Sequence, residues 1–167
     1  QMALTIPAIA QPADVASAVE TATVETLDDA ADDAAIWVNP DAPAESLILG
    51  TDKTAGLRVY GLDGRQRQFL NVGRVNNVDL LARVRLTDYT GALAAASNRS
   101  DDSVVLFSVD ADGAAVLGRF SVGPEPYGLC MGRAGGGPVV FVAHKQGYVQ
   151  PYRLTAIDAD PVALQPA

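Results

Sequence analysis

A short apolar run, a polar loop carrying one cation, and a second alternating run recur three times along this 167-residue chain. The first copy is Ser46-Leu47-Ile48-Leu49, then Gly50-Thr51-Asp52-Lys53-Thr54-Ala55-Gly56, then Leu57 to Leu62, closed by Asp63-Gly64. The second runs from Ala92 to Ala96, through Ser97-Asn98-Arg99-Ser100-Asp101-Asp102, to Ser103–Val109, closed by Asp112-Gly113. The third is Val139 to Ala143, then His144-Lys145-Gln146-Gly147, then Tyr148 to Leu154. Each copy reads as two short strands joined by a turn-prone loop, a hairpin. The loop cations stand at equal intervals, 99 − 53 = 46 and 145 − 99 = 46.

Further strands fall around each hairpin. Ala35 to Val38 precedes the first and Arg65 to Leu70 follows it; Val78 to Val84 and Ala114 to Val122 flank the second; Tyr127 to Met131 and a short Val162-Ala163-Leu164 run flank the third. Four short strands per unit, repeated every ~40–45 residues, is the pattern of a β-propeller blade. The expected fold is therefore all-β: a β-propeller of about three four-stranded blades, over residues 32–70, 76–122 and 125–164. Residues 1–18, rich in Ala, Pro and Gln, read as a flexible leader ahead of a partial propeller domain over 19–167. The β-branched residues between Val19 and Thr26 favour an extended strand, with the alanines leaving a short helix open, and Asp28 to Asp33 form a turn-like acidic loop.

In an antiparallel blade, the loop leading into the first strand and the loop between the second and third emerge on one face. That topology gathers Lys53, Arg99 and Lys145 on one rim, one per blade, beside Asp32-Asp33, Asn76-Asn77 and Glu125-Pro126-Tyr127. Cations with carboxylates between them suit an anion bridged by metal ions. A single basic hairpin residue would carry no such meaning; three in register do.

The net charge of −8 and a pI near 4.4 disfavour a nucleic-acid or anionic-membrane partner. No apolar run reaches the ~18 residues of a membrane span. No Lys or Arg precedes Lys53, whereas acids run from Asp14 to Asp52, which is either a solvated segment or a cation-binding one. The single cysteine, Cys130, lies in an apolar run and reads as a buried thiol that forms no intrachain disulfide. His144, the only histidine, reads as an exposed loop residue outside any catalytic pair.

Five segments bear a wider likeness: Asp32-Asp33-Ala34-Ala35-Ile36-Trp37-Val38, Gly50-Thr51-Asp52-Lys53, Gly73-Arg74-Val75-Asn76-Asn77-Val78-Asp79-Leu80, Ser97-Asn98-Arg99-Ser100 and Glu125-Pro126-Tyr127-Gly128. In this order they resemble the β-propeller phytases, the calcium-dependent class that hydrolyses inositol hexakisphosphate (phytate). The resemblance implies that Lys53, Arg99, Tyr127 and Lys145 contact phosphate. It also implies that Asp33, with the carbonyls of Ala34 and Val78, holds a structural Ca²⁺, and that Asp32 faces a catalytic calcium cluster. Oxygen-only ligands suit that hard ion. Calcium would then neutralise phosphate charge and lower the pKa of an attacking water, with no covalent enzyme intermediate. A secreted or periplasmic location goes with the family.

The family's propeller has six blades, so the resemblance covers an N-terminal half. The missing blades, and most acidic ligands of the catalytic calcium ions, are expected from the rest of a longer chain or from a second copy. Alternatively, the chain is a non-catalytic incomplete propeller that binds phytate or calcium, or mediates assembly. A lactonase- or sugar-type propeller enzyme is disfavoured by the five matched segments.

Overall fold

The computed structural model describes residues 14–27 and 29–165. Residues 1–13, most of the segment read as a leader, lie outside the described residues, as does Asp28. Among the described residues, strands form three four-stranded antiparallel sheets. The first holds β1 (Ala31–Trp37), β2 (Leu47–Asp52), β3 (Gly56–Gly61) and β4 (Gln66–Leu70). The second holds β5 (Val75–Arg85), β6 (Thr90–Asn98), β7 (Ser103–Asp110) and β8 (Gly113–Ser121). The third holds β9 (Pro126–Ala134), β10 (Gly137–His144), β11 (Val149–Arg153) and β12 (Val162–Ala163). Each sheet meanders in chain order. Inner strands β1, β5 and β9 pack side by side, whereas β4 and β8 scarcely meet, so the sheets fan outward as propeller blades in an open arc.

Strand periodicity explains the packing. Successive side chains point to opposite faces, and the middle blade is covered on both. From β6, Ala94 and Ala96 join Trp37, Leu49, Leu57, Val59 and Phe107 in one core. Leu93 and Ala95 join Leu106, Leu129, Met131, Val140 and Val142 in the other. The alanine run is therefore not a weak strand: small side chains on both faces let two neighbouring sheets approach it. The first and third blades each pack only one face against a neighbouring sheet. Ile36, Val38 and Phe69 are exposed on one side of the arc and Val149 on the other.

Two expectations are overturned. Cys130 is exposed rather than buried. Its neighbours Leu129 and Met131 turn into the core, so alternation turns Cys130 to the uncovered face of β9. His144 is buried, 4% exposed, rather than a solvated loop residue. It is the last residue of β10, not part of the following loop.

Residues 19–26, expected as an extended strand, form neither strand nor helix and join no sheet. The Ala22 N–H donates to the Gly64 carbonyl at 2.8 Å, and the Thr26 hydroxyl to Asp52 Oδ2 at 3.2 Å. Gly64 sits in the β3–β4 turn at φ +77°, where a Cβ would run into the Glu20 carbonyl, so both the turn and the passing segment require glycine.

Asp52 is wholly buried beside Arg58, whose Nη2 and Nε lie 3.0 and 3.3 Å from Asp52 Oδ2. Asp52 Oδ1 accepts the Thr54 hydroxyl and N–H at 2.6 and 3.1 Å. Burial alone raises the Asp52 carboxyl, but Thr54, Arg58 and Thr26 outweigh it and hold the group below its ordinary range. The Arg58 guanidinium also lies over the Phe69 ring, 4.7 Å from its centroid.

Two outcomes follow from this packing. Phe107→Ala should destabilise the chain by about 3–5 kcal/mol, read from the urea midpoint; a loss below about 1 kcal/mol would show that the core between the first two blades does not depend on that ring. For Asp52, a depressed folded-state pKa contributes stability above the unfolded value, and that contribution disappears as pH falls through the folded one. Asp52→Asn should therefore be less stable at neutral pH, where Arg58 is left buried and unpaired, by about 3–5 kcal/mol. Its stability should also fall less steeply than that of the unaltered chain in acid. Parallel urea curves at pH 7, 4 and 3 check both parts.

Candidate functional site

The three cations occupy one structural position. Lys53, Arg99 and Lys145 each follow the second strand of a blade, and each backbone N–H donates to the carbonyl just ahead of, or at the start of, that blade's inner strand. The pairs are Lys53 to Ala30 at 2.8 Å, Arg99 to Arg74 at 2.9 Å and Lys145 to Glu125 at 3.2 Å. The 46-residue interval is thus a conserved blade geometry within the chain, and it brings all three side chains to one rim.

Each cation meets the top of its own inner strand. Lys53 Nζ lies 3.3 Å from Asp32 and 2.7 Å from Asp29. The Asp29 carboxylate is the main reason the Lys53 ammonium is held above its ordinary pKa; burial opposes this and Asp32 reinforces it. Arg99 Nη1 donates to Asn76 Oδ1 at 3.2 Å. Lys145 Nζ sits 5.1 Å from the Tyr127 ring centroid, and Arg99 Cζ sits 5.6 Å from the same centroid. Tyr127 is 43% exposed, so two cations flank an open aromatic ring within cation–π range.

A repeated hydroxyl device sets these positions. Thr51 Oγ1 accepts the Asp33 N–H at 2.9 Å and donates across to the Asn76 carbonyl of the next blade at 2.8 Å. Ser97 Oγ accepts the Asn77 N–H at 3.2 Å and donates to the Tyr127 carbonyl at 2.7 Å. One hydroxyl can do both, having one proton and two lone pairs. Thr51 and Ser97, Asn76 as a partner of Arg99, and Asp29 as a partner of Lys53 are not among the residues expected from the sequence. The hydroxyls were visible in outline, since Thr51 and Ser97 each lie two residues before a cation of the series.

Asp32 and Asp33 lie within β1 rather than in the acidic loop expected there, as Asn76, Asn77 and Tyr127 lie within β5 and β9. Asp33 joins the first two blades: Oδ2 accepts Asn77 Nδ2 at 2.9 Å and the Val78 N–H at 3.2 Å, and Oδ1 accepts the Ala34 N–H at 2.9 Å. The structure therefore brings Asp33, Ala34 and Val78 together, through N–H groups on the carboxylate. Asp32 and Asp33 stay apart in role, one facing Lys53 and the other Asn77.

The donor set suits a hard cation in kind and falls short in number. Asp29 and Asp32 already converge on a cation, the Lys53 ammonium. Asp33 has three of its roughly four lone-pair sites taken. Calcium takes about six to eight oxygens, and among the described residues no group of three or more His, Cys, Asp or Glu is disposed to hold a metal ion. A cleft of about 440 Å³ lined by Thr21, Val24, Asp32, Asp33, Thr51 and Tyr60 adjoins this rim. Clefts of about 460 and 630 Å³, lined by Asp63 and Asp112 and by Trp37 and Arg85, open at the opposite ends of the strands, away from the cations.

Comparison with known proteins bears on this rim. A family profile described as Phytase matches residues 3–127, about three quarters of the chain. A 3-phytase of Bacillus subtilis (strain 168) is 42% identical over 100 residues, covering 59% of this chain and 26% of that protein. The chain thus aligns with about a quarter of the length of that curated relative. With the profile spanning the first two blades and the start of the third, the chain belongs to the phytase family.

Proposed function

We propose that this chain carries the phosphate-binding side of a calcium-dependent phytase site, acting on phosphomonoesters of inositol hexakisphosphate. The observation that carries the reading is the exposed Tyr127 ring between Arg99 and Lys145, on the rim that also holds Lys53. Two like charges beside one ring leave a local excess that a phosphate relieves. The Arg99 guanidinium can bond two phosphate oxygens with its planar fork, while Lys145 and Lys53 act as mobile point charges. The Tyr127 hydroxyl can donate to a further oxygen.

Asp32 and Asp33, with the carbonyls of Ala34 and Val78, would contribute oxygens to bound Ca²⁺. Bound calcium would neutralise phosphate charge and make a water acidic enough to attack phosphorus. The remaining ligands would come from blades outside this chain, supplied by the rest of a longer chain or by a second copy. The exposed Ile36, Val38 and Phe69 on one flank, and Val149 on the other, support such an apposition. A secreted or periplasmic location accompanies this reading by family analogy.

The shortage of clustered acids among the described residues favours a second reading, in which the chain binds phytate and calcium without releasing phosphate. One assay separates the two: phosphate release from inositol hexakisphosphate by the 167-residue chain in calcium, with an EDTA control. Release abolished by EDTA supports catalysis, and binding without release supports the second reading. Under either, Arg99→Ala should weaken inositol hexakisphosphate binding by about 10- to 100-fold, the worth of a charge-assisted bidentate contact, and Arg99→Lys should not restore it. Unchanged affinity in Arg99→Ala, measured calorimetrically, would remove the rim from the binding site.

A further inference from the structure

We infer that His144 is a positioning residue of the anion site, holding the Pro124–Glu125 peptide so that Tyr127 and Lys145 stand at the spacing a phosphate needs. The inference rests on the anion-binding reading above and concerns a residue outside the expected contacts.

The local geometry is over-determined around a strained residue. Glu125 has φ +50°, a left-handed conformation uncommon outside glycine, and lies two residues before Tyr127. Four contacts surround it. Its N–H donates to Asp102 Oδ1 at 3.0 Å, its carbonyl accepts the Lys145 N–H at 3.2 Å, and its carboxylate accepts Gln146 Nε2 at 3.0 Å. The fourth comes from His144, whose Nδ1 is 2.8 Å from the Pro124 carbonyl. A carbonyl only accepts, so Nδ1 carries the proton.

The same task falls to a different side chain in the second blade. Asn98 occupies the position of His144, 46 residues earlier, and its Nδ2 donates to the Val72 carbonyl at 2.8 Å, ahead of β5. Both residues precede the loop cation, both are buried, and both hold the segment that leads into the inner strand. Asp52 fills the equivalent place in the first blade, but its carboxylate is turned to Thr54, Thr26 and Arg58. The lead-in bond thus belongs to the two blades whose cations flank Tyr127.

Space-filling does not account for a histidine here. Nε2 is buried with no hydrogen-bond partner among the described residues, a cost that an apolar ring of the same shape would avoid. The ring also stacks on Tyr148, centroids 4.3 Å apart and planes 12° from parallel. The third blade needs that bond more than the second. Where Thr51 and Ser97 supply the bridging hydroxyl, the position 46 residues on is Ala143, which has none.

Four proteins test the inference: the unaltered chain, His144→Phe, His144→Asn and Tyr148→Leu. His144→Phe keeps an aromatic ring for the stack and removes the donor; His144→Asn gives the third blade the donor that Asn98 supplies in the second. Two readouts are taken at a temperature where all four are folded by circular dichroism. They are calorimetric affinity for inositol hexakisphosphate and hydrogen-exchange protection of the Lys145 amide.

His144→Phe should lose about tenfold in affinity through misplacement of the two groups, and the Lys145 amide should exchange faster. His144→Asn and Tyr148→Leu should stay near the unaltered chain in both. Equal affinity and equal protection in His144→Phe overturn the inference, as does a loss in Tyr148→Leu as large as that in His144→Phe, which would make the pair a packing unit. If His144→Phe does not fold, His144→Asn decides: retained affinity and protection support the donor role, and loss of both overturns it. If the unaltered chain fails to bind inositol hexakisphosphate, the anion-site reading fails, and amide protection still reports whether His144 holds the loop.

Discussion

A single oxygen on each of Thr51 and Ser97 ties one blade to the next at the rim that carries Lys53, Arg99 and Lys145. Each hydroxyl takes an N–H from its own inner strand and gives its proton to a carbonyl of the neighbouring one, Asn76 in one case and Tyr127 in the other. Apolar burial brings the sheets together, but it is non-directional and would tolerate sliding. The hydroxyl bonds have direction and length. They determine where Asn76 meets Arg99 and where the Tyr127 backbone sits, and hence where its ring stands between two cations.

Along the rim the electrostatic character changes from blade to blade. In the first, Lys53 is held by Asp29 and Asp32, so the cation is matched by carboxylate. In the second, Arg99 meets the neutral Asn76 amide and the Tyr127 ring; in the third, Lys145 has the face of Tyr127. One end of the arc therefore pairs its cation with carboxylates, and the other sets its cations beside neutral groups. Three structurally equivalent basic residues reach this division because the first residue facing them on the inner strand is an aspartate, an asparagine and a tyrosine in turn.

Much of the fold was legible because it rests on period. Alternation marked the strands, turn residues separated them, and the equal spacing of Lys53, Arg99 and Lys145 placed the three loops in equivalent positions. Cys130 and His144 depart from expectation because burial depends on what lies over a side chain. Alternation assigns a side chain to a face but does not say whether another sheet covers that face. Cys130, in an apolar run, turns to the uncovered side of the third blade, and His144, beside a charged loop, turns under the Pro124 carbonyl and the Tyr148 ring.

By itself, then, the sequence determined the blades, their order and the register of the cations, since local alternation and a constant repeat length suffice for these. Tertiary structure alone decided the partners: Lys53 with Asp29 and Asp32, Arg99 and Lys145 with one tyrosine, Asp33 with the amides of the next blade. Those contacts join residues more than twenty positions apart, except the Lys145–Tyr127 pair, which closes within one blade. All depend on how closely inner strands approach, a distance set by packed side chains and bridging hydroxyls rather than by any run of residues along the chain.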